Sequence, residues 1–162
     1  MAPELLQRKR LPHFAPVIRH NAPIVLFVTM AIRPRVNALA NDVAHAAFQD
    51  ALAKADAWRA FLYVMMPDHI HAFVVPRTWP SFPIARWAEF LKRNVTQSLG
   101  GRTSSCAAQW HWQTGCWDTQ MRDMAHLEEK TAYVRMNPVR AGLCATPEEW
   151  KWRGEGEWVE WL

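Results

Sequence analysis

The sequence has little that could crosslink it, anchor it in a membrane or loosen its backbone. Its three cysteines, Cys106, Cys116 and Cys144, are odd in number and lack CxxC spacing, which argues against both a disulfide framework and a zinc ribbon. They are expected to be buried reduced thiols, since a free cysteine behaves as a small hydrophobe. No apolar run approaches the roughly 18–20 uncharged residues of a membrane span, and the longest, Ile24 to Ile32, is the size of a strand. The opening MAPELLQRKRLPHF is basic but has no apolar core followed by a small-residue cleavage site, so it does not read as a secretory signal and a cytoplasmic location is expected. Glycine is scarce, 6 residues against 11 prolines, which favours rigid loops. Only two tyrosines occur, Tyr63 and Tyr133.

What is present is the composition of one soluble domain: 162 residues, 50% hydrophobic and 21% charged. Lys and Arg number 19 against 15 Asp and Glu, a net +4 that favours a polyanionic partner. Ten tryptophans supply packing and stacking surface well beyond the ordinary share. Three segments are expected: an extended basic arm over 1–22 with Arg8, Lys9 and Arg10, a domain over 23–145, and a Trp-rich tail over 146–162. In the tail, Trp150, Trp152, Trp158 and Trp161 read as aromatic anchors clamped over a core rather than as base-stacking platforms.

Within the domain, Ile24 to Ile32 is β-branched and aromatic and stops at Arg33-Pro34, as a buried strand does. From Val36 to Ala55 the positions Val36, Leu39, Ala40, Val43, Ala47, Ala51 and Leu52 recur at three and four, predicting an amphipathic helix. Trp58 to Met66 and His69 to Val75 are strand-like runs joined by Pro67-Asp68, a hairpin. Ser81 is placed to cap a helix reaching about Leu99, with Ile84, Trp87, Ala88, Leu91 and Val95 on one face, before Gly100-Gly101. Ala108 to Gln113 alternates as a fourth strand, and a last helix covers about Met124 to Arg135. The order β-α-β-β-α-β-α is that of an α+β fold with the split βαβ, or ferredoxin-like, arrangement: an antiparallel sheet with helices on one face, plus an added C-terminal helix carrying Tyr133.

Two constellations carry chemistry. His69 and His71 are separated by one residue on a predicted strand, so alternation puts both imidazoles on one face, where two neutral rings can converge on a divalent cation. By itself such a pair is also what a strand carries with no ligand at all. Tyr133 and Asn137 are four apart at a helix end and share a face if the helix persists, offering a phenolic nucleophile and an amide oxygen. Equally, Tyr133 could pack in the core and Asn137 cap a turn before Pro138.

Taken in order, these blocks resemble the REP-associated tyrosine transposases, single-tyrosine HUH enzymes related to the simplest insertion-sequence transposases. The resemblance covers about residues 23–153 and rests on VLFVTMAI with Arg33, YVMMPDHIHAFVV (63–75), WHWQTGCWDTQMRD (110–123), YVRMNPVRAGL (133–143) and EEWKW (148–152). It implies His69, His71 and Asn137 as ligands of a divalent metal ion, Mg²⁺ or Mn²⁺, and Tyr133 as the nucleophile. It further implies a metal-dependent nickase and strand transferase that acts on single-stranded DNA near hairpins through a 5′-phosphotyrosine, as a monomer or homodimer. The chain departs from the family at Asp68, where Asn is usual, and at Ala72 and Phe73, where longer apolar side chains are usual. Phosphate contacts are expected from Lys92, Arg93, Arg102, Arg122, Arg135 and Arg140. A catalytically inactive hairpin-DNA-binding or regulatory protein on the same fold is the alternative. A ferredoxin-like RNA-binding domain would need aromatics on exposed central strands and no HxH, and only Trp110 and Trp112 speak for it.

Overall fold

The computed structural model describes residues 13–19, 23–101 and 109–156. Its order is β1 (Leu26–Arg33), α1 (Asp42–Lys54), β2 (Trp58–Met65), β3 (His69–Pro76), α2 (Ile84–Ser98), β4 (His111–Trp112), β5 (Trp117–Gln120), α3 (Met124–Arg135), α4 (Asn137–Arg140), a short 3₁₀ turn (Pro147–Glu149) and β6 (Arg153–Glu155). The sheet runs β4-β1-β3-β2-β6, with β5 also on β1 beside β4, and every pairing is antiparallel. That is the strand order and polarity of the split βαβ arrangement in an α+β fold.

Alternation sorts the strands onto two cores. Leu26, Val28, Met30, Ile32, Ile70, Ala72 and Val74 join α1 and α2 on one face, while Val25, Phe73, Val75, Val64 and Met66 join Leu127 and Val134 of α3 on the other. Helices therefore cover both faces. α1 and α2 share one, and the added helix α3 packs on the second, where β3 is also apolar between its histidines and Pro76. Ile70 and Phe73, both fully buried, contribute roughly 1.5–3 kcal/mol each on opposite sides.

Three local expectations are corrected. α1 begins at Asp42 rather than Val36, because the Asn41 side chain accepts from Ala44 N as an N-cap, while Ala38 N and Leu39 N both donate to Pro67 O at 2.9 Å. Its buried stripe is Ala44, Ala47, Phe48 and Ala51, and Val43 is 69% exposed. α2 starts at Ile84 behind Pro83 with no side-chain cap, although its predicted face, Ile84, Trp87, Ala88, Leu91 and Val95, is buried as expected. The expected fourth strand, 108–113, is reduced to β4, and β5 is a further short strand that the sequence pattern did not mark. Trp112 pairs with Ile32 and Trp117 with Thr29, so five steps on this side (112 to 117) face three on β1 (32 to 29), and the excess loops out at Gly115, φ 70°.

Toward the C-terminus, Trp150 is buried and its Nε1 donates to Met65 O at 2.9 Å, while Trp152 Nε1 donates to Asp42 Oδ1 at 2.9 Å. The chain then adds β6 to β2. Arg8, Lys9, Arg10, Cys106, Trp158 and Trp161 lie outside the described residues.

Candidate active site

The hairpin between β2 and β3 is closed by Met66 N donating to His69 O at 2.8 Å. It turns His69 and His71 onto the face that α3 covers, the same face as Phe73, and both rings are half-buried there. Their ε nitrogens stand 3.1 Å apart, with the rings at 75°. Two nitrogens bound at right angles to one cation, each about 2.1 Å from it, would be separated by about 3.0 Å, so the pair fits a shared ion.

Each ring is held from behind at its other nitrogen. His69 Nδ1 lies 2.6 Å from Asp68 Oδ1, and Asp68 Oδ2 accepts from Arg35 Nη1 at 3.0 Å. Burial opposes ionisation of Asp68, but the hydrogen bonds from His69 and Arg35 outweigh it and hold the carboxyl below its usual range. An ionised carboxylate only accepts, so His69 Nδ1 is the donor to Asp68 and Nε2 is the nitrogen turned toward His71. His71 Nδ1 lies 2.9 Å from Thr29 Oγ1, its cross-strand neighbour in register. A hydroxyl both donates and accepts, so Thr29 serves either tautomer of His71: one in which Nε2–H bridges to His69, and one in which Nε2 is free for a cation. Backing of this kind orients the imidazoles of metal sites. Burial, followed by the charges of His69 and Lys130, pushes the His71 pKa down to about 3, so the ring is neutral near neutral pH, the form that binds metal.

Above this face runs α3. Thr131 and Val134 point down from it, and Tyr133 is 45% exposed. Lys130, one turn before Tyr133, sits between the layers: its Nζ lies 4.9 Å from the Phe27 ring centre and 5.2 Å from that of Tyr133, and Phe27 in turn lies 5.2 Å from His71, centre to centre. Arg140 places its guanidinium 4.2 Å over the Tyr133 ring. Pro138 does not end the helical path. Met136 keeps helical angles (φ −81°, ψ −7°), and Pro138 sits in the first turn of α4, where its missing N–H costs nothing. Asn137 opens α4 and is half-buried, and among the described residues no hydrogen bond engages its side chain or the Tyr133 hydroxyl.

The basic residues divide. Lys92 takes a role different from the phosphate contact expected of it: it is buried, and its ammonium donates to the carbonyls of Gln113, at 2.7 Å, and of Gly115. A cation tied to backbone inside the fold is not free for DNA. Arg135 donates from Nε to Glu155 Oε1 at 2.9 Å, pairing α3 with β6. Arg122 and Arg140 are exposed, and Arg93 is exposed on α2 beside a surface hollow of about 450 Å³ lined also by Lys92, Thr96, Gln97, Gly101 and Trp112. Arg102 lies outside the described residues. Residue patterns alone missed Thr29, Arg35 and Lys130. Only Lys130 left a signal, its i, i+3 spacing to Tyr133; the other two depend on strand register and on the loop after β1.

No family model and no curated protein matches the sequence. Among solved structures, the chain is similar to a REP-associated tyrosine transposase bound to a REP hairpin, at 18% identity, with 86% of this chain and 82% of that one covered and a TM-score of 0.65. The chain therefore has the fold of a REP-associated tyrosine transposase.

Proposed function

We propose that this protein is a metal-dependent nickase and strand transferase that acts on single-stranded DNA beside a hairpin. The observation that carries the reading is the pair of ε nitrogens 3.1 Å apart, each imidazole backed at its δ nitrogen. His69, His71 and Asn137 would hold a divalent ion, and two imidazoles with one amide oxygen suit Mn²⁺ better than Mg²⁺, which prefers an all-oxygen shell. When bound, the ion polarises a non-bridging phosphate oxygen and offsets charge at the scissile phosphorus.

Tyr133 supplies the nucleophile. Its phenolic oxygen forms a bond to phosphorus, the bond from phosphorus to the 3′ oxygen breaks, and the phenolic proton passes to solvent while the departing oxygen is protonated. The products are a 5′-phosphotyrosine and a free 3′-hydroxyl, and reversal by another 3′-hydroxyl joins strands without hydrolysis. Arg140, against the Tyr133 ring, supplies positive charge where the phosphate must come, and exposed Arg93 and Arg122 serve the DNA backbone. Hairpin DNA as partner is supported by the solved transposase of the same fold, which is bound to one.

A labelled oligonucleotide with a hairpin and a single-stranded flank, incubated with Mn²⁺ or Mg²⁺ and run on a denaturing gel, is the test. A cation-dependent covalent adduct is expected. Hairpin binding with no adduct under either ion would replace this reading with that of a binding protein.

A further inference from the structure

Across the sheet from the histidine pair, three side chains with metal-ligand chemistry meet that the reading above leaves unused. Asp118 pairs with Val28, which belongs to the α1/α2 core, whereas Thr29 and His71 point to the opposite face. Cys116, two residues before Asp118, is buried in that same α1/α2 core. His13 approaches from the N-terminal arm. Its Nδ1 contacts the Asp118 carboxylate, and one ligand atom from each of His13, Cys116 and Asp118 lies within 4.8 Å of the other two.

The surroundings hold this meeting in place. Gly115, at φ 70°, makes the turn that carries Cys116 beneath the arm, and the Lys92 ammonium ties that turn down through the carbonyls of Gln113 and Gly115. Four residues along the arm, Val17 N donates to Gln120 Oε1 at 2.9 Å and Gln120 Nε2 returns a bond to Val17 O at 2.7 Å, so the arm lies along β5 at the edge of the sheet.

We propose that His13, Cys116 and Asp118 bind one zinc ion that fastens the N-terminal arm to this edge. An imidazole nitrogen, a thiolate sulfur and a carboxylate oxygen form a borderline-soft set that selects Zn²⁺ over Mg²⁺ or Mn²⁺, and three protein ligands leave the fourth tetrahedral position to water. Binding displaces the Cys116 thiol proton to solvent, and the thiolate and Asp118 together neutralise the ion. Thiolate ligation separates this site from the histidine pair, where the proposed ligands include no sulfur, and its position on the opposite face makes the two independent.

Cobalt titration of the full chain tests the assignment, because Co²⁺ occupies zinc sites and a thiolate ligand gives a charge-transfer band in the near ultraviolet. The band is expected in the wild type and equally in a His69→Ala/His71→Ala double variant, to be bleached by Zn²⁺ at one equivalent, and to vanish in Cys116→Ser. His13→Ala, on the exposed arm where folding is not at stake, should weaken cobalt binding at least ten-fold and speed proteolysis of the arm. No band in the wild type, a band that survives in Cys116→Ser, or one lost with the two histidines would each overturn the proposal. None of these outcomes depends on whether the chain forms a DNA adduct.

Discussion

Thr29 and His71 face each other across β1 and β3, and the Thr29 hydroxyl lies 2.9 Å from His71 Nδ1. The pairing makes a half-buried imidazole into an oriented one: desolvation keeps His71 neutral, and Thr29 fixes which way its second nitrogen looks. Thr29→Val keeps the branched shape and removes only that contact. The variant should require about 10–100-fold more Mn²⁺ for half-maximal cleavage, the usual effect of losing such a backing group, with little change in hairpin binding. A metal titration of adduct formation checks it, and an unchanged midpoint would make Thr29 a packing residue.

Removing the histidines themselves should do more. His69→Ala or His71→Ala is expected to abolish cation-dependent cleavage while the protein stays folded, since both positions are only half-buried and Ile70 between them keeps its place in the core. Hairpin affinity should survive better than cleavage, because phosphate contacts elsewhere dominate it. Cleavage persisting in either variant refutes the assignment of the metal site.

Asn137→Ala separates a third ligand from a helix-end residue. With two imidazoles remaining, activity should persist but at a higher cation concentration. Identical titration curves for the variant and the wild type would leave Asn137 a purely local role.

The two tyrosines differ in ways that make the nucleophile easy to isolate. Tyr133→Phe removes a hydroxyl from a ring that is 45% exposed, so stability and DNA binding should hold while the adduct is lost completely. Tyr63→Phe should keep the adduct, yet cost about 0.5–1.5 kcal/mol in denaturant unfolding, because the buried Tyr63 hydroxyl lies 2.9 Å from His45 Nε2. Peptide mapping that puts the nucleotide on Tyr63 would reverse the two roles.

Tyr63 also explains a glycine. Gly154 pairs with it across β2 and β6, and a Cβ on Gly154 would collide with the Tyr63 ring. Gly154→Ala should therefore loosen β6 and destabilise the fold by about 1–3 kcal/mol, measured by urea denaturation. A neutral result would show that β6 shifts without strain.

The sequence by itself determined the elements with strong periodicity and the chemistry written within one of them. The alternation of HIHAFVV already put His69 and His71 on one side, the spacing of Ile84, Trp87, Ala88, Leu91 and Val95 named the buried face of α2, and the order of elements named the α+β sheet. Local pattern reaches only as far as local contacts. Where α1 starts was decided by the Asn41 cap and by Pro67 O, which takes the amides of Ala38 and Leu39, and β4 and β5 are separate because the chain takes five steps between its two pairings with β1 where β1 takes three. Register set Thr29 behind His71, and a loop brought Arg35 to Asp68. Lys92, which reads in sequence as one more surface cation, became an internal one because α2 packs against the turn at Gly115, where two carbonyls needed a donor. Partners far apart along the chain leave no trace in its periodicity, so only the tertiary structure could choose them.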